Sequence, residues 1–314
     1  MSDKRLWALF ISLVLVVAVL FFWNLTTHIA FILELRAIKI GGLLVVGAAI
    51  GVSTVLFQTI SNNRILTPSI MGFDSLYLLM QTCLIFFLSG LTYAHMPGNL
   101  LFLLNTLTML IASVVLFTFV LKATRHDIQL MILVGVIFGL VFRSFSTFIQ
   151  RLIDPSEFAV LQSVMFAQFG GINEKELLSA LMLLVLVCCW VARKCQVLDV
   201  MLLGRRTAKS LGVDYDRLQF MVLCAISILV SVSTALVGPI IFLGLLVSAL
   251  AHSLMKTHRH ALLLPAAAMI SALILLLGQA LFENLLERQS TLTVVIEFVG
   301  GLFFLVLLSK GKIK

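Results

Sequence analysis

The stretch LGRRTAKSLGVDYDRLQ, residues 203–219, is the only long polar island in an otherwise membrane-like sequence. Arg205, Arg206 and Lys209 lie on a segment long enough for about two helical turns, and Gly212 stands where a left-handed residue would end such a helix. A short amphipathic helix between two membrane spans would offer a rigid, charged surface to a soluble partner. An ordinary solvated loop would leave the same pattern, so the pattern alone keeps both interpretations open.

Outward from this island the chain is strongly apolar. Of its 314 residues 61% are hydrophobic and 11% charged, with a mean hydropathy of +1.16. This composition predicts an integral membrane protein, and continuous rather than alternating apolar runs favour helical spans over a barrel. The five cysteines lie in or beside apolar runs without CxxC spacing, which predicts small buried hydrophobes in a reduced setting.

Ten apolar runs predict an all-α polytopic protein with one permease domain over residues 1–314, whose cytoplasmic coupling segment covers about 193–217. The predicted spans are 6–23, 38–60, 72–88, 99–121, 128–150, 177–192, 218–236, 240–255, 261–281 and 294–308. With the N-terminus inside, sixteen of the twenty-two basic residues fall on the cytoplasmic side. The positive-inside rule therefore predicts that both termini are cytoplasmic. The net charge of +8 follows this topology and does not indicate nucleic-acid binding.

Three motifs punctuate the spans in order. The segment QTISNNRILTPSIMG (58–72) ends the second span, the island at 203–219 follows the sixth, and GPIIFLGLLV (238–247) follows the seventh. Together they resemble the FecCD family of ABC-importer permeases. The residues on the family's turn motifs are Gln58, Asn63, Pro68, Gly72, Gly238, Pro239 and Gly244. Those in the coupling motif are Leu203, Gly204, Ala208, Leu211 and Gly212, with Arg205, Arg206 and Lys209 between them. The chain departs from the family at Arg64, where proline is usual, and at Ser248–Ala249, where Pro-His is usual.

The resemblance implies a BtuC-like permease fold and a binding-protein-dependent importer of an iron chelate, with a ferric siderophore favoured. It implies a second permease subunit (a non-identical paralogue is favoured over a second copy), two ATPase subunits, and a periplasmic or lipid-anchored binding protein in the bacterial cytoplasmic (inner) membrane. ATP and Mg would be held by the ATPases, iron would enter only as chelate, and this chain would bind no cofactor and catalyse no reaction. The alternatives are an ion-gradient-driven secondary transporter and an ABC permease for haem or cobalamin.

A charged residue inside the fifth predicted span points to the transport path. Arg143 lies about 22 Å along that helix at 1.5 Å per residue, where facing lipid would cost at least ~2.5 kcal/mol. Helical spacing puts Ser146, Thr147 and Gln150 on its stripe, and the resemblance implies that this span borders the translocation path. A snorkelling arginine, or a structural partner for Glu297, is the alternative.

External basic residues are the candidate docking site for the binding protein. Arg36 lies just before the second predicted span and Lys39 at its start, where the family has an Arg-x-Pro-Arg motif, and Arg288 precedes the last span. Simple interfacial anchoring is the alternative. The sequence shows no convincing metal-ligand spacing and no glycine-rich phosphate loop, so no metal site is predicted. His258, Arg259 and His260 are interpreted as a solvated basic flank.

Overall fold

The computed structural model describes residues 2–23, 29–124, 128–284, 296, 298 and 300–302, and this part of the chain contains helices and turns but no strand. Its helices are α1 (Ser2–Phe22), α2 (Ile29–Ser61), α3 (Phe73–Leu88), α4 (Gly90–His95), α5 (Gly98–Ala123), α6 (Ile128–Gln150), α7 (Pro155–Val164), α8 (Glu174–Met201), α9 (Arg205–Ser210), α10 (Tyr215–Val237), α11 (Leu243–Met255) and α12 (His260–Asn284).

Nine of the ten predicted spans coincide with helices of the described chain. Seven helices are long and apolar enough to cross a membrane, and α3 and α11 are shorter apolar helices. The tenth run, 294–308, lies mostly outside the described residues. The expected loop before the second span is wrong, because α2 already begins at Ile29 and places Arg36 and Lys39 on a helix. No glycine or proline stands between the apolar residues 29–33 and Ile38, so nothing in that stretch breaks the helix.

The core is built around α2, which packs against α12 and α10. Its hydrophobic membrane window is 78% buried inside the protein, whereas that of α1 is 0% buried. Two glycines set the crossing of α2 with α12. A Cβ atom at Gly47 would stand 2.8 Å from the Ala272 Cα, and one at Gly51 would stand 2.6 Å from the Ala267 carbonyl oxygen. Small residues on both helices therefore let the backbones touch, as is common between helices in a membrane.

The short helices α4 and α7 lie in two of the connections that the predicted topology places outside, 89–98 and 151–176. They contact each other, and the Glu157 carboxylate of α7 accepts a hydrogen bond of 3.0 Å from the Gly90 backbone N–H at the start of α4. Beneath them, Tyr93 donates to Gln81 (2.7 Å) and accepts from Asn105 (3.2 Å), which ties α4 to α3 and α5. The side predicted to be external is thus a packed layer of helices rather than open loops.

Candidate functional site

The polar island folds as a short helix between two glycines. The six-residue helix α9 is bracketed by Gly204 (φ 88°) and Gly212 (φ 82°). Gly212 donates to the Lys209 carbonyl (3.0 Å) and Val213 to the Ala208 carbonyl (3.1 Å), so the last turn is closed. The left-handed backbone at Gly212 is the helix stop that the sequence predicts, because a side chain is disfavoured at this φ.

An acidic residue of α10 holds the basic residues of α9. Asp216 accepts two hydrogen bonds from Arg205, from Nε at 3.1 Å and from Nη2 at 3.2 Å, and one from Lys209 Nζ at 2.6 Å. The sequence predicted three cations crowded on this surface. Two of them are instead tied to Asp216, and Arg206 is exposed beside them. The two hydrogen bonds from the Arg205 guanidinium to Asp216 fix the orientation of α9 relative to α10. Exposed ion pairs of this kind contribute only ~0–1 kcal/mol each to stability.

The outer face of this segment is apolar as well as charged. Leu203 is 58% exposed and Leu211 is 62% exposed, while Ala208 is fully buried against the core. Large apolar side chains on the water side of a membrane protein lose hydrophobic free energy unless something covers them. Leu203, Arg206 and Leu211 are all exposed on the predicted cytoplasmic side, and we call them the coupling face after their predicted role.

A buried polar joint lies just before this segment. Asp199 near the end of α8 accepts from the His260 backbone N–H (2.8 Å) and from its Nδ1 (2.6 Å), at the start of α12. The other ring nitrogen of His260 lies 2.7 Å from Thr59 Oγ1 of α2, and Thr59 also donates to the Val55 carbonyl (2.8 Å). The His260 side chain is fully buried. Asp199, His260 and Thr59 thus connect three helices at one point, and we call this group the α8–α12–α2 joint.

Sequence reasoning missed this joint, since it interpreted His260 as part of a solvated flank and did not single out Asp199. The signal was present at Asp199. A carboxylate in the last turn of a helix faces the negative end of the helix dipole, so it requires a compensating donor. The structure supplies that donor from 61 residues further along the chain.

A cavity of about 1110 Å³ opens beside the joint on the predicted cytoplasmic side. Its walls come from the turn after α2, the end of α8 and the α11–α12 connection. Ten of its fifteen lining residues are polar or charged, among them Asn62, Asn63, Arg64, His252, His258 and Arg259. The cavity adjoins the coupling segment through Leu203, which also lines it.

The predicted turn motifs hold the two halves of the chain together. Gln58 donates to the Arg64 carbonyl (2.5 Å) across its own turn and to Ser248 Oγ (2.8 Å) of α11, and Asn63 caps the turn by accepting from Ile65 N–H (3.0 Å). A Cβ at Gly72 would lie 2.9 Å from the Gly139 Cα, which brings α6 onto the start of α3. Pro68, Gly238 and Gly244 line one small cavity of about 20 Å³, and Pro239 follows Gly238 after α10.

Comparison with known proteins assigns this architecture. The model of the FecCD transport family matches residues 5–310. The chain belongs to the FecCD transport family. A petrobactin import system permease protein of Bacillus subtilis (strain 168) is 43% identical over 99% of this chain and 98% of its own length. One from Bacillus anthracis is 32% identical over 90% of this chain and 79% of its own length.

A solved inward-facing structure of a metal-chelate type ABC transporter has the same fold. It covers 99% of this chain and 100% of its own, with a TM-score of 0.85 at 24% identity. The BtuC-like permease fold predicted from the motifs is therefore confirmed. The chain is a multi-pass permease subunit of an ABC importer in the cytoplasmic (inner) membrane, a class that works with ATPase and binding-protein partners.

In this permease the predicted path residues on α6 differ in burial. Ser146 is fully buried and lies 2.8 Å from Thr82 Oγ1 of α3, and Gln150 donates to Ser146 Oγ at 2.9 Å. Arg143 and Thr147 are exposed on the isolated chain. The predicted stripe on α6 is thus only partly covered by α3. Gly139, Ser146 and Gln150 pack on α3, whereas Arg143 and Thr147 stay exposed beside them and are available to a neighbouring subunit, the path or lipid.

The predicted docking residues bond within the permease. Arg36 donates through Nη1 to the Phe21 carbonyl (3.0 Å) and the Trp23 carbonyl (2.5 Å), which are orphan acceptors at the end of α1. Lys39 forms a salt bridge with Glu283 at the far end of α12, and Gln279 also donates to Glu283 (2.9 Å). Arg288 and Glu297 lie outside the described residues. Arg36 and Lys39 therefore connect α1, α2 and α12 to one another on the side predicted to be external.

Proposed function

We propose that this permease carries a ferric siderophore of the petrobactin type into the cell, driven by ATPase subunits that dock on the coupling face. Support for the substrate comes from the two petrobactin import relatives, one of them 43% identical along nearly the whole chain. The observation that supports the coupling is the pair of exposed leucines, Leu203 and Leu211, that flank the short helix α9 between Gly204 and Gly212. Iron enters as part of the cargo, and this chain holds no cofactor of its own.

In the proposed assembly this chain pairs with a second permease subunit, a non-identical paralogue, around a central path. Two ATPases bind on the cytoplasmic side, hydrolyse ATP with Mg and contact α9 of each permease. A binding protein delivers the chelate on the external side. ATP binding and release shift the population between outward-facing and inward-facing states through differential contacts with the coupling face.

Within this chain the α8–α12–α2 joint is the route by which α9 reaches the core. Asp199 precedes α9 by only a few residues and is bonded to His260 at the start of α12. His260 reaches Thr59 on α2, the most buried long helix of the described chain. A displacement of the α8–α9 corner would therefore act on the α2–α12 pair directly, because those helices meet backbone to backbone at Gly47 and Gly51.

Replacing both coupling leucines tests the docking. Leu203→Asp with Leu211→Asp removes two exposed apolar contacts and should lower co-purification of the ATPase and siderophore-dependent iron uptake together, by at least tenfold if each leucine contributes ~1 kcal/mol or more. The fold should remain, because both side chains are on the surface. Thr207→Asp is the matched control, since it adds a charge at an exposed position of the same helix.

Proteoliposomes distinguish the proposal from a secondary transporter. Uptake of ferric petrobactin by the reconstituted complex should require ATP and should persist when ionophores collapse all ion gradients. Uptake that follows an imposed gradient without ATP would overturn it. Haem and cobalamin, offered in the same assay with their own binding proteins absent, should not be transported.

A further inference from the structure

A second cavity, of about 580 Å³, lies between α1 and the end of α11 at the predicted cytoplasmic edge of the membrane. It has no part in the coupling face. Arg5 from the first turn of α1 and Lys256 just after α11 supply its charge, and Leu9, Ser12 and Leu254 form much of the rest of its wall. A basic end and an apolar wall between two membrane helices is an unusual combination for a water-filled pocket.

The two cations are positioned by the fold. Arg5 donates through Nη1 to the Leu254 carbonyl at 2.6 Å, which sets its guanidinium against the last turn of α11. Lys256 stands at the left-handed position that ends α11 (φ 48°), where its N–H donates to the His252 carbonyl at 3.2 Å. Among the described residues no carboxylate pairs with either side chain. Two positive charges from different helices therefore face one cavity.

The cavity also extends toward the bilayer interior. Seven residues separate Arg5 from Ser12, which is about 10 Å along the helix axis at 1.5 Å per residue. The Ser12 hydroxyl is satisfied by the Leu9 carbonyl (2.8 Å), so this deeper part presents an apolar surface. The outer face of α1 carries exposed Trp7 and Ile11, as expected for a helix against lipid.

We propose that this cavity binds an anionic phospholipid of the cytoplasmic leaflet. The phosphate lies between Arg5 and Lys256, and the start of an acyl chain follows Leu9 and Ser12 toward the bilayer core. Basic pockets between membrane helices on the cytoplasmic side suit anionic head groups, with ~1 kcal/mol for each basic residue near the surface. Because α1 is held to the core mainly through α12 and is otherwise exposed, such a lipid braces α1 against α11.

Native mass spectrometry of the purified transporter, titrated separately with phosphatidylglycerol and phosphatidylcholine, tests the site. The parent should bind one phosphatidylglycerol molecule per permease subunit of this type more tightly than phosphatidylcholine. Arg5→Gln with Lys256→Gln should weaken that binding roughly 30-fold. Lys4→Gln with Arg193→Gln is the matched control, since it removes the same charge from exposed cytoplasmic residues outside the cavity and should leave the tight site intact.

A second variant separates a lipid from a free anion. Ser12→Phe keeps both cations and fills the apolar part of the cavity, so it should weaken phosphatidylglycerol binding without affecting binding of inorganic phosphate. Equal losses in the two charge variants would overturn the proposal. So would a Ser12→Phe variant that binds phosphatidylglycerol like the parent, or millimolar phosphate that displaces the lipid completely. If the double charge variant does not assemble, the proposal is tested by Ser12→Phe and by the single variant Lys256→Gln, which changes an exposed residue.

Discussion

The two polar ends of this permease use their charged residues differently. At the cytoplasmic end Arg205 and Lys209 share one carboxylate of the adjacent helix, and leucines are left facing water. At the external end Arg36 and Lys39 bond to α1 and α12. At both ends, basic residues already form hydrogen bonds or ion pairs within the chain itself. At the predicted cytoplasmic end two leucines and Arg206 stay exposed for a partner, whereas at the predicted external end Arg36 and Lys39 are already bonded within the chain.

This difference has an energetic side. An exposed ion pair holds geometry but contributes ~0–1 kcal/mol, whereas covering an exposed leucine is worth up to ~1.5–3 kcal/mol. Docking of an ATPase on Leu203 and Leu211 is therefore expected to give affinity. The ion pairs of Asp216 are expected to orient the coupling face, because the two hydrogen bonds to Arg205 fix the direction of α9.

The largest effect is expected at the α8–α12–α2 joint. His260→Ala removes a fully buried ring and both of its side-chain hydrogen bonds, and bonds to charged partners are worth ~1.5–3 kcal/mol. Iron uptake should fall more than tenfold in complexes that still assemble, while their ATP hydrolysis continues, because α9 is disconnected from the core. His258→Ala, an exposed residue on the wall of the same cavity, is the control and should be near the parent. Normal uptake per ATP in His260→Ala would remove the joint from the transmission route.

A second comparison concerns α6. Arg143→Met should leave complex yield unchanged, because substitution of an exposed residue usually shifts stability by no more than about 0.5 kcal/mol. Radiolabelled iron uptake should fall if Arg143 lines the path of an anionic chelate. Ser144→Ala at the neighbouring exposed position serves as control. If uptake and complex yield are both unchanged, Arg143 faces lipid or a protein contact that transport does not require.

The Asp216 cluster should give a smaller effect that depends on salt. Asp216→Ala frees Arg205 and Lys209 and should reduce coupling a few-fold, with a stability loss of ~1 kcal/mol at most. The exchange Arg205→Asp with Asp216→Arg restores an opposite-charge pair and should recover most of the loss. Stimulated ATPase activity measured at low and high salt reports the effect, which should shrink as ionic strength rises. Failure of the exchange to recover activity would mean that Arg205 itself touches the partner.

The smallest effect is expected at the ion pair between Lys39 and Glu283. Lys39→Met breaks the pair with Glu283, which is half-buried, and should cost no more than ~1 kcal/mol of stability. If Lys39 bonds only to Glu283, the Lys39→Met variant should associate with the binding protein at the parent's rate. If Lys39 also contacts the binding protein, the variant should associate more slowly at low salt. Lys175→Met, at the start of α8 in a segment predicted to be external, is the charge-matched control. Surface-binding kinetics at two salt concentrations decide between the two.

Much of the fold followed from local sequence. Span positions were predictable because a backbone in lipid must bond to itself, so each long apolar run becomes a helix. Gly212 could be recognised as a helix stop because a left-handed backbone depends mainly on the residue type at that single position. The early start of α2 could not be predicted because the charged residues Glu34, Arg36 and Lys39 interrupt the apolar run, although a helix tolerates them where partners exist.

The sequence by itself determined the helices, their breaks and the three motifs that place the chain in its family, since these depend on hydrogen bonds and apolar runs within a few residues. Only the tertiary structure decided which side chains meet. Thr59 and His260 are 201 residues apart, and Asp199 reaches the same histidine over 61. Whether Ser146 is buried while Arg143 is exposed depends on how α6 is rotated against α3. That rotation is set by the close approach of Gly72 and Gly139, a contact between backbones that no pattern within either helix contains.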